Sequence, residues 1–365
     1  MLELAINGID LGRGRGGNES YLQGLIAGLD QSGAVSGVQV LVGNHAGNLH
    51  AGPRTRYIQT GPYHRITYLL RTQTRILRQL KFDWYLSTFF LPFNAPPRNG
   101  LFVHDLSFLS LPLSYPPTIR LYMRWLVARA VTQAQRVFVL SQFVRAEFLR
   151  HYPAVSPERV AVLYPGYADN YRPEREVGDF SVLARHSLQR GYILSVSSIH
   201  PRKNMAGLLD AYRVFSQRGA GAAPRLVIAG QQYWGNLALQ QQAAGLDIQL
   251  LGYVPQTELP ALHRNAGAFV YPSLYEGFGL PPLEAMACGT PVICGNNTSL
   301  PEVVGAAACQ VDVSSPPTVA DALQRILMDG TFNAQLSQAG IARAAQFNWQ
   351  KTARELVAVL EACTH

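Results

Sequence analysis

The sequence predicts an α/β protein made of two doubly wound, Rossmann-like domains. The chain has 365 residues, more than one typical domain holds, and 48% of them are hydrophobic, so sizeable cores can be buried. Short runs that are apolar almost throughout alternate with helical patterns, which is typical of parallel strands covered by helices on both faces. The runs fall into two sets separated by a polar stretch. Each set is expected to form its own sheet, with ligands bound at the carboxyl ends of the strands.

In the first half of the chain, five apolar runs predict strands: LELAING, VQVLVG, FDWYLST, GLFVHDL and RVFVLS. Helical patterns fall between them. These are ESYLQGLIAGLD, RITYLLRTQTRILRQLKF (residues 65–82) and TIRLYMRWLVARAVTQA. Such alternation favours a parallel sheet, because parallel strands need crossover connections.

The second half repeats the pattern. Its predicted strands are GYILSVSS, RLVIAG, IQLLGYV, AFVYPS and PVICG, and its predicted helices are AGLLDAYRVFSQR, LEAMACG and VADALQRILMDG. The segment VLYPGYADNYRPER, rich in proline, glycine and polar residues, lies between the two sets. We therefore expect the link between the domains there.

Charge is distributed unevenly between the two halves. Residues 1–170 contain 17 Lys and Arg against 9 Asp and Glu, whereas residues 171–365 contain 14 against 14. A basic half indicates an anionic partner, which could be a nucleic acid, a phosphorylated ligand or an acidic membrane surface. The four cysteines form no close-spaced pairs, and the start MLELAINGID lacks the basic residues of a signal peptide, so a cytoplasmic location is expected.

The stretch AFVYPSLYEGFGLPPLEAMACG predicts a strand, a loop and a helix that begins near Pro281 and ends at Gly289. The loop amides and the helix N-terminus predict an anion site. Glu276 in the loop and Glu284 in the helix would repel phosphate but would accept hydrogen bonds from hydroxyls. A diphosphate flanked by two polyhydroxyl groups, as in a nucleotide-sugar, fits this arrangement. The alternative is a helix-capping loop with two solvated acids.

Two further motifs also follow predicted strands. Arg202 and Lys203 come after GYILSVSS and could neutralise a diphosphate, although a solvated basic turn would look the same. His104 ends the run GLFVHDL, at a position expected to face a ligand, and a structural histidine is the alternative. Asp105 is expected to orient this loop.

A glycine-rich turn follows the first strand. Gly12, Gly14 and Gly17 match the pattern G-x-G-x-x-G, but the dinucleotide fold also needs an acid at the end of the second strand. The second strand, VQVLVGNH, has none, which disfavours NAD. A tight turn without a ligand role is the other interpretation.

These motifs resemble those of retaining glycosyltransferases of family 4, which have the GT-B fold. EGFGLPPLEAMACGTPVI is similar to the E-x7-E region of that family, and SVSSIHPRKNMAGLLDAY to its strand, basic pair and helix. LGYVPQTELPALHRNAGAFVYPS is similar to the base-binding loop, and FVHDLSFLSLP to the histidine loop. The PRKN, HDL and GLPPLEAMACG forms resemble those of bacterial GDP-mannose-dependent mannosyltransferases of surface-polysaccharide assembly.

The resemblance implies a GT-B architecture with a deep interdomain cleft. Residues 1–168 would form an acceptor-binding domain, residues 169–346 a nucleotide-sugar-binding domain, and residues 347–365 a helix that crosses back onto the first domain. The implied reaction is retaining transfer of a hexose, mannose from GDP-mannose, to a lipid-linked or glycan acceptor. No metal and no cofactor other than the donor substrate are expected. The alternatives are a UDP-sugar-dependent transferase, a non-catalytic nucleotide-sugar-binding regulator and a nucleic-acid-binding protein.

The resemblance also assigns roles to residues of this sequence. His104, Glu276, Arg202 and Lys203 are the expected catalytic residues. Donor binding is expected from the two cations and both glutamates, together with Gly16, Gly17, Tyr253, Val254, Gly277, Phe278, Gly279 and Leu280.

The excess of basic residues points to the acceptor side. A helix over residues 65–82 would place Arg71, Arg75 and Arg78 on one face, with Ile66, Leu69, Leu70, Leu77 and Leu80 on another. Such a basic amphipathic helix can lie on an anionic membrane. TIRLYMRWLVARA, with Trp125, is a second candidate. Solvated basic faces are the alternative, so peripheral association with the cytoplasmic face of the inner membrane remains an expectation.

Overall fold

A computed structural model describes residues 1–12, 16–44, 49, 52–61, 67–198, 200–218, 223–230 and 241–363. The chain divides into two compact units, residues 1–168 with 347–365 and residues 169–346. Each unit has a parallel sheet with helices, which confirms the predicted α/β class of two doubly wound domains.

In the first unit, seven strands of the described residues form one parallel sheet in the order β3-β2-β1-β4-β5-β6-β7. The strands are β1 (Leu2–Asn7), β2 (Val35–Val42), β3 (Thr55–Gln59), β4 (Trp84–Thr88), β5 (Asn99–Val103), β6 (Arg136–Val139) and β7 (Val160–Val162). The strand order reverses between β1 and β4, which is where such sheets bind ligands. The sequence did not predict β3 and β7, because these edge strands are only partly buried and lack a long apolar run.

The helices of the first unit lie in the connections between strands, except the last one, which comes from the C-terminal segment of the chain. They are α1 (Gly17–Ser32), a π-helical turn (Tyr68–Thr72) that continues into α2 (Gln73–Leu77), α3 (Ser107–Ser110), α4 (Pro117–Gln133), α5 (Gln142–His151) and α13 (Trp349–Glu361). Among the described residues, none of the helices combines the length and the apolar character needed to cross a bilayer.

The helix predicted over residues 65–82 is shorter in the structure. Residues 65 and 66 lie outside the described residues, and α2 ends at Leu77. After a turn the chain then joins the sheet, where the Asp83 amide donates to the Glu3 carbonyl oxygen at 2.8 Å. Of the residues predicted on the apolar face of this helix, Leu69 and Leu77 are buried, whereas Leu70 is 43% exposed.

Helix α13 packs closely against α1. A Cβ atom on Gly24 would lie 2.1 Å from the Trp349 ring, and one on Gly28 would lie 2.4 Å from the Trp349 carbonyl oxygen. The two glycines, spaced one helical turn apart, therefore make room for the tryptophan. The Tyr21 ring also meets the Trp349 ring edge-on, with centroids 5.2 Å apart.

In the second unit, six strands of the described residues form a parallel sheet in the order β10-β9-β8-β11-β12-β13. They are β8 (Ile193–Val196), β9 (Leu226–Ala229), β10 (Ile248–Gly252), β11 (Ala268–Tyr271), β12 (Val292–Gly295) and β13 (Cys309–Val311). The helices are α6 (Gly178–Arg185), α7 (Met205–Arg218), α8 (Leu259–Asn265), α9 (Leu280–Ala287), α10 (Leu300–Val304), α11 (Pro316–Met328) and α12 (Gly330–Ala344). Because β8 and β11 are neighbours, the segments that follow them come together at the point where the strand order reverses.

Candidate active site

The basic pair meets the first glutamate at the carboxyl ends of β8 and β11. Residues Pro201–Lys203 form a 3₁₀ turn before α7, and the loop after β11 carries Glu276. The Lys203 Nζ atom donates to Glu276 Oε1 at 2.5 Å and to the Tyr271 hydroxyl at 2.7 Å. The Arg202 Nη1 atom donates to Glu276 Oε2 at 3.3 Å and to the Tyr275 carbonyl oxygen at 3.0 Å. Two motifs that are far apart in the sequence therefore form one ion cluster.

This cluster is buried and charged. Glu276 is 6% exposed and Lys203 is 7% exposed. Burial alone would raise the pKa of Glu276, but the charges of Lys203 and Arg202 outweigh it and lower that pKa to about 2. At neutral pH the carboxylate is therefore fully ionised and is shared between two cations.

The loop that carries Glu276 is fixed by the segment after β12. The Glu276 amide donates to Thr298 Oγ1 at 3.2 Å, and Ser299 Oγ donates to the carbonyl oxygens of Glu276 and Phe278 at 2.9 and 3.1 Å. On the other side, the Leu274 amide donates to the Arg202 carbonyl oxygen at 2.8 Å. These contacts hold the Glu276 backbone against the basic turn.

Helix α9 begins and ends as the sequence predicts. Gly279 precedes it with φ +105°, and a Cβ atom there would lie 2.7 Å from Leu300 Cδ2, so glycine is required. Pro281 and Pro282 occupy the first turn, and Gly289 follows the helix with φ +74°. The prolines have no N–H, so they remove two of the donors expected of a helix N-terminus, and an anion here depends on the amides that precede them.

Glu284 lies in a different environment. It accepts a hydrogen bond from the Tyr171 hydroxyl, and the Tyr171 ring lies 5.9 Å from the His263 ring. Loss of hydration raises the pKa of Glu284 to about 7, although the Tyr171 hydrogen bond acts in the opposite direction. The segment before Tyr171 is held by Arg264, whose Nη1 donates to the Asn170 carbonyl oxygen at 3.1 Å.

A buried ion pair supports this region. Arg264 of α8 donates to both carboxylate oxygens of Asp179 in α6, at 2.6 and 3.0 Å. A bidentate pair of this kind has a fixed geometry, so it fixes the position of α8. Arg264 also fixes the start of the second unit through Asn170, and so helps to place Tyr171.

Tyr253 and Val254, predicted to hold the base, follow the edge strand β10. Tyr253 is 55% exposed, whereas the Val254 side chain is buried. A contact with a base at position 254 would therefore come from the backbone. The backbone turns there because Gly252 has φ +69°.

In the first unit, His104 follows β5 and contacts the start of α1. Its Nδ1 atom lies 2.7 Å from Asn18 Oδ1, and its ring lies between the rings of Tyr21 and Phe89, at centroid distances of 4.5 and 5.6 Å. Burial lowers the pKa of His104 to about 4, although Asp105 acts in the opposite direction, so the ring is neutral at pH 7. Asp105 accepts hydrogen bonds from the Ser107 amide and hydroxyl, at 3.0 and 2.6 Å, and so orients the loop.

The glycine turn lies before α1, at the same end of this sheet. Gly14 is outside the described residues, and the Gly12 amide donates to Glu19 Oε1 at 2.7 Å. Gly16 has φ +77°, which favours glycine. No described atom lies within 4 Å of a Cβ atom built on Gly16 or Gly17. Steric crowding by the described residues is therefore not the reason that position 17 is a glycine.

The three arginines predicted to face an acceptor or a membrane, Arg71, Arg75 and Arg78, are all exposed.

Comparison with known proteins identifies the family. The sequence profile described as Glycosyltransferase Family 4 matches residues 15–170, and that described as Glycosyl transferases group 1 matches residues 184–343. O-antigen chain mannosyltransferase B of Escherichia coli is 34% identical over 79% of this chain and 76% of that protein. The chain belongs to glycosyltransferase family 4. The family prediction from the sequence is therefore confirmed.

The glycosyltransferase is also similar to a second mannosyltransferase in sequence and to a solved structure in fold. Serotype-specific mannosyltransferase WbdA of Escherichia coli is 31% identical over 60% of this chain, which corresponds to 28% of that longer protein. Sucrose-phosphate synthase from Thermosynechococcus elongatus has a similar solved structure, with a TM-score of 0.78, 19% identity and coverage of 100% of this chain and 99% of that one. The structural similarity confirms the GT-B fold of the glycosyltransferase.

The sequence analysis did not identify several residues that contact the predicted site residues within each unit of this glycosyltransferase. Thr298 and Ser299 carry a weak signal, since the polar run GNNTS follows a buried strand. Asn18 is a polar residue directly after the glycine turn, which is also only a weak signal. Tyr171 had no such signal, because its contact with Glu284 depends on how the start of the second unit packs.

Proposed function

We propose that this glycosyltransferase transfers mannose from GDP-mannose, with retention of configuration and without a metal ion, to a lipid-linked or glycan acceptor. The observation that carries the proposal is the buried cluster of Arg202, Lys203 and Glu276 at the carboxyl ends of β8 and β11. The choice of mannose is supported by the similarity to O-antigen chain mannosyltransferase B. The DxD pattern of metal-using transferases does not occur in the candidate site.

The two cations suit a diphosphate leaving group. In the transition state the bond from the anomeric carbon to the diphosphate oxygen breaks, and negative charge grows on the diphosphate. Arg202 and Lys203 would stabilise that charge from a preorganised position. Glu276 now holds both cations, so a bound diphosphate would share them with the carboxylate. Glu276 would also accept hydrogen bonds from hydroxyls of the transferred sugar.

The state of the two glutamates favours same-face attack over a covalent intermediate. A carboxylate nucleophile must be ionised and reactive, as in retaining glycosidases. Glu276 is ionised, but two cations stabilise its charge, which makes it a weak nucleophile. Glu284 is about half protonated at neutral pH because loss of hydration raises its pKa to about 7. In the proposed step the acceptor oxygen bonds to the anomeric carbon on the face that the diphosphate leaves, and the acceptor proton passes to a leaving phosphate oxygen.

Ligand binding identifies the donor. Thermal unfolding is measured with GDP, UDP, ADP and their sugars, because a ligand that binds the folded state raises the midpoint. The largest rise is expected with GDP and GDP-mannose. A larger rise with UDP-sugars would show that the donor is a UDP-sugar and not GDP-mannose. A salt-dependent shift with RNA or DNA and none with nucleotides would favour a nucleic-acid-binding protein.

Turnover separates an enzyme from a regulatory binding protein. Donor hydrolysis and transfer are measured for the wild type and for Glu276→Ala and Lys203→Ala, and both variants are expected to be inactive. Arg225→Ala is the matched control, since Arg225 is a surface residue paired with Asp247 and should behave like the wild type. NMR of the transfer product reports whether the anomeric configuration is retained. Binding without turnover in the wild type would support the regulatory alternative.

We further propose that the basic helix faces of the first unit bind anionic lipid. Leu69 of the π-helical turn and Leu126 of α4 share one buried cluster, so the two helices are neighbours. Their outer surfaces carry the exposed residues Leu70, Arg71, Arg75, Arg78, Ile119, Leu121, Arg124 and Trp125. Exposed apolar side chains among arginines match an interface with acidic headgroups.

Liposome sedimentation tests this surface. Wild-type protein is expected to sediment with vesicles that contain phosphatidylglycerol and to remain in solution with phosphatidylcholine alone. The Arg71/Arg75/Arg78→Glu variant should lose sedimentation. Arg56/Lys351/Arg354→Glu makes the same charge change at other exposed positions of the first unit and serves as the control. Equal binding by the two variants would mean that net charge, rather than this surface, drives association.

A further inference from the structure

We propose that Asn18 is a positioning residue that fixes His104 as the tautomer with its proton on Nδ1, which leaves Nε2 to accept a hydrogen bond from a sugar hydroxyl. The hydroxyl partner depends on the proposed transferase function. The tautomer does not, so the two can be tested separately.

The contact between these residues is buried and constrained. His104 Nδ1 and Asn18 Oδ1 lie 2.7 Å apart although the residues are 86 positions apart in the chain. The histidine ring is 5% exposed and is packed between the rings of Tyr21 and Phe89. Phe89 has φ +58°, an unfavourable value for a bulky residue, and its amide donates to the Phe102 carbonyl oxygen at 2.8 Å. The backbone is therefore strained at Phe89, the residue whose ring packs against His104.

The geometry of the pair selects one tautomer. A neutral imidazole has one N–H donor and one acceptor nitrogen, and the partner of one nitrogen sets the state of the other. Asn18 presents its carbonyl oxygen, which can only accept, so Nδ1 must carry the proton. Nε2 then has a lone pair.

The second nitrogen lacks a partner in the described structure. His104 Nε2 is buried and makes no hydrogen bond with any described residue. A buried acceptor without a partner is unfavourable, and a ligand that provides a donor would satisfy it. His104 directly follows the carboxyl end of β5, and α/β proteins bind ligands at the carboxyl ends of their strands. A sugar hydroxyl has the O–H donor that this lone pair requires.

Nitrogen NMR tests the tautomer directly. Long-range proton–nitrogen correlation on protein with labelled histidines distinguishes a protonated ring nitrogen from a bare one, and His104→Gln assigns the signal among the nine histidines. The proposal expects Nδ1 protonated and Nε2 bare at pH 7. Asn18→Asp keeps the shape and offers only acceptors, so the same tautomer is expected, with the His104 titration moved to higher pH by the added negative charge. A wild-type proton on Nε2 would overturn the proposal.

Kinetics test the positioning role. Asn18→Leu is expected to lower kcat/KM about tenfold, the equivalent of one hydrogen bond, at every pH. Asn18→Asp should retain activity at high pH and lose it on the acid side at a higher pH than the wild type. Ser32→Ala, at the opposite end of α1, is the control and should match the wild type, since the Ser32 hydroxyl donates to the Leu29 carbonyl oxygen within that last turn. If the NMR result holds while no nucleotide-sugar is turned over, the proposed function fails and the tautomer assignment stands. Unchanged kinetics in both Asn18 variants would contradict the positioning role.

Discussion

Glu276 and Glu284 are the same residue type, eight positions apart, in a loop and in the helix that follows it. Glu276 contacts two cations, and their charges outweigh burial and lower its pKa to about 2. Glu284 contacts the hydroxyl of Tyr171, and loss of hydration raises its pKa to about 7. Burial opposes ionisation at both positions. The difference shows that the partners which tertiary packing supplies decide the charge of each carboxylate.

The two carboxylates can therefore recognise hydroxyls in different ways. Glu276 remains an anion throughout the physiological range and acts only as an acceptor. Glu284 changes between acid and carboxylate near neutral pH, so it can donate or accept. If Glu284 binds hydroxyls of the nucleotide, the affinity for the nucleotide should vary between pH 6 and 8, whereas contacts made by Glu276 should not.

Removing the Glu276 charge gives the largest expected effect. Glu276→Gln leaves Lys203 buried without its anion, and breaking a buried ion pair typically costs about 3–5 kcal/mol. Urea unfolding at pH 7 measures this loss. The control is the double variant Lys203→Met with Glu276→Gln, which removes both charges and should be more stable than Glu276→Gln alone. A double variant that is less stable than both single variants would show that the pair does not act as a unit.

The pH dependence of stability should have opposite signs at the two positions. Because the folded pKa of Glu284 is raised from 4.5 to about 7, the folded state binds more protons between these values, and stability falls as pH rises through that range. In the wild type this loss of unfolding free energy is at most about 1.4 kcal/mol per pH unit, and Glu284→Gln should abolish it. For Glu276, with a pKa lowered to about 2, the stabilising contribution is present above pH 4.5 and is lost on acidification. Unfolding free energies from pH 3 to 8 measure both trends, and parallel curves for wild type and Glu284→Gln would contradict the assignment.

The fold was predictable where burial is complete. The central strands β1, β4, β8 and β11 are buried on both faces and appear in the sequence as continuous apolar runs. The edge strands β3, β7 and β13 are partly exposed, and two of them have only three residues, so they carry no comparable pattern. A strand defined mainly by hydrogen bonds to one neighbour is hard to recognise from residue types.

The candidate site was predictable where its residues belong to motifs at the ends of strands, and not where they meet only through packing. The association of Arg202 with Glu276 follows from two motifs at the ends of neighbouring strands, and strand order is a property of the fold class. The contacts of Tyr171 with Glu284, and of Asn18 with His104, join elements that are distant in the sequence through side-chain packing. No local pattern marks such contacts, because the same residues at a solvated surface would give the same sequence.

Removing the Tyr171 hydroxyl gives the smallest expected effect and the most specific one. Tyr171→Phe keeps the ring against His263 and loses one hydrogen bond to Glu284, which costs about 0.5–1.5 kcal/mol. That bond lowers the pKa of Glu284, so its loss should move the Glu284 titration to higher pH. The charge of Glu284 also interacts with the Cys288 thiol, which follows α9, and the variant leaves that thiol unchanged. Tyr192→Phe is the matched control, since its buried hydroxyl donates to the Leu262 carbonyl oxygen at 2.6 Å and touches no carboxylate in that contact. Both variants should lose stability, but only Tyr171→Phe should shift the midpoint of the pH–stability curve. An equal shift in both variants would show that the Tyr171 hydroxyl does not set the pKa of Glu284.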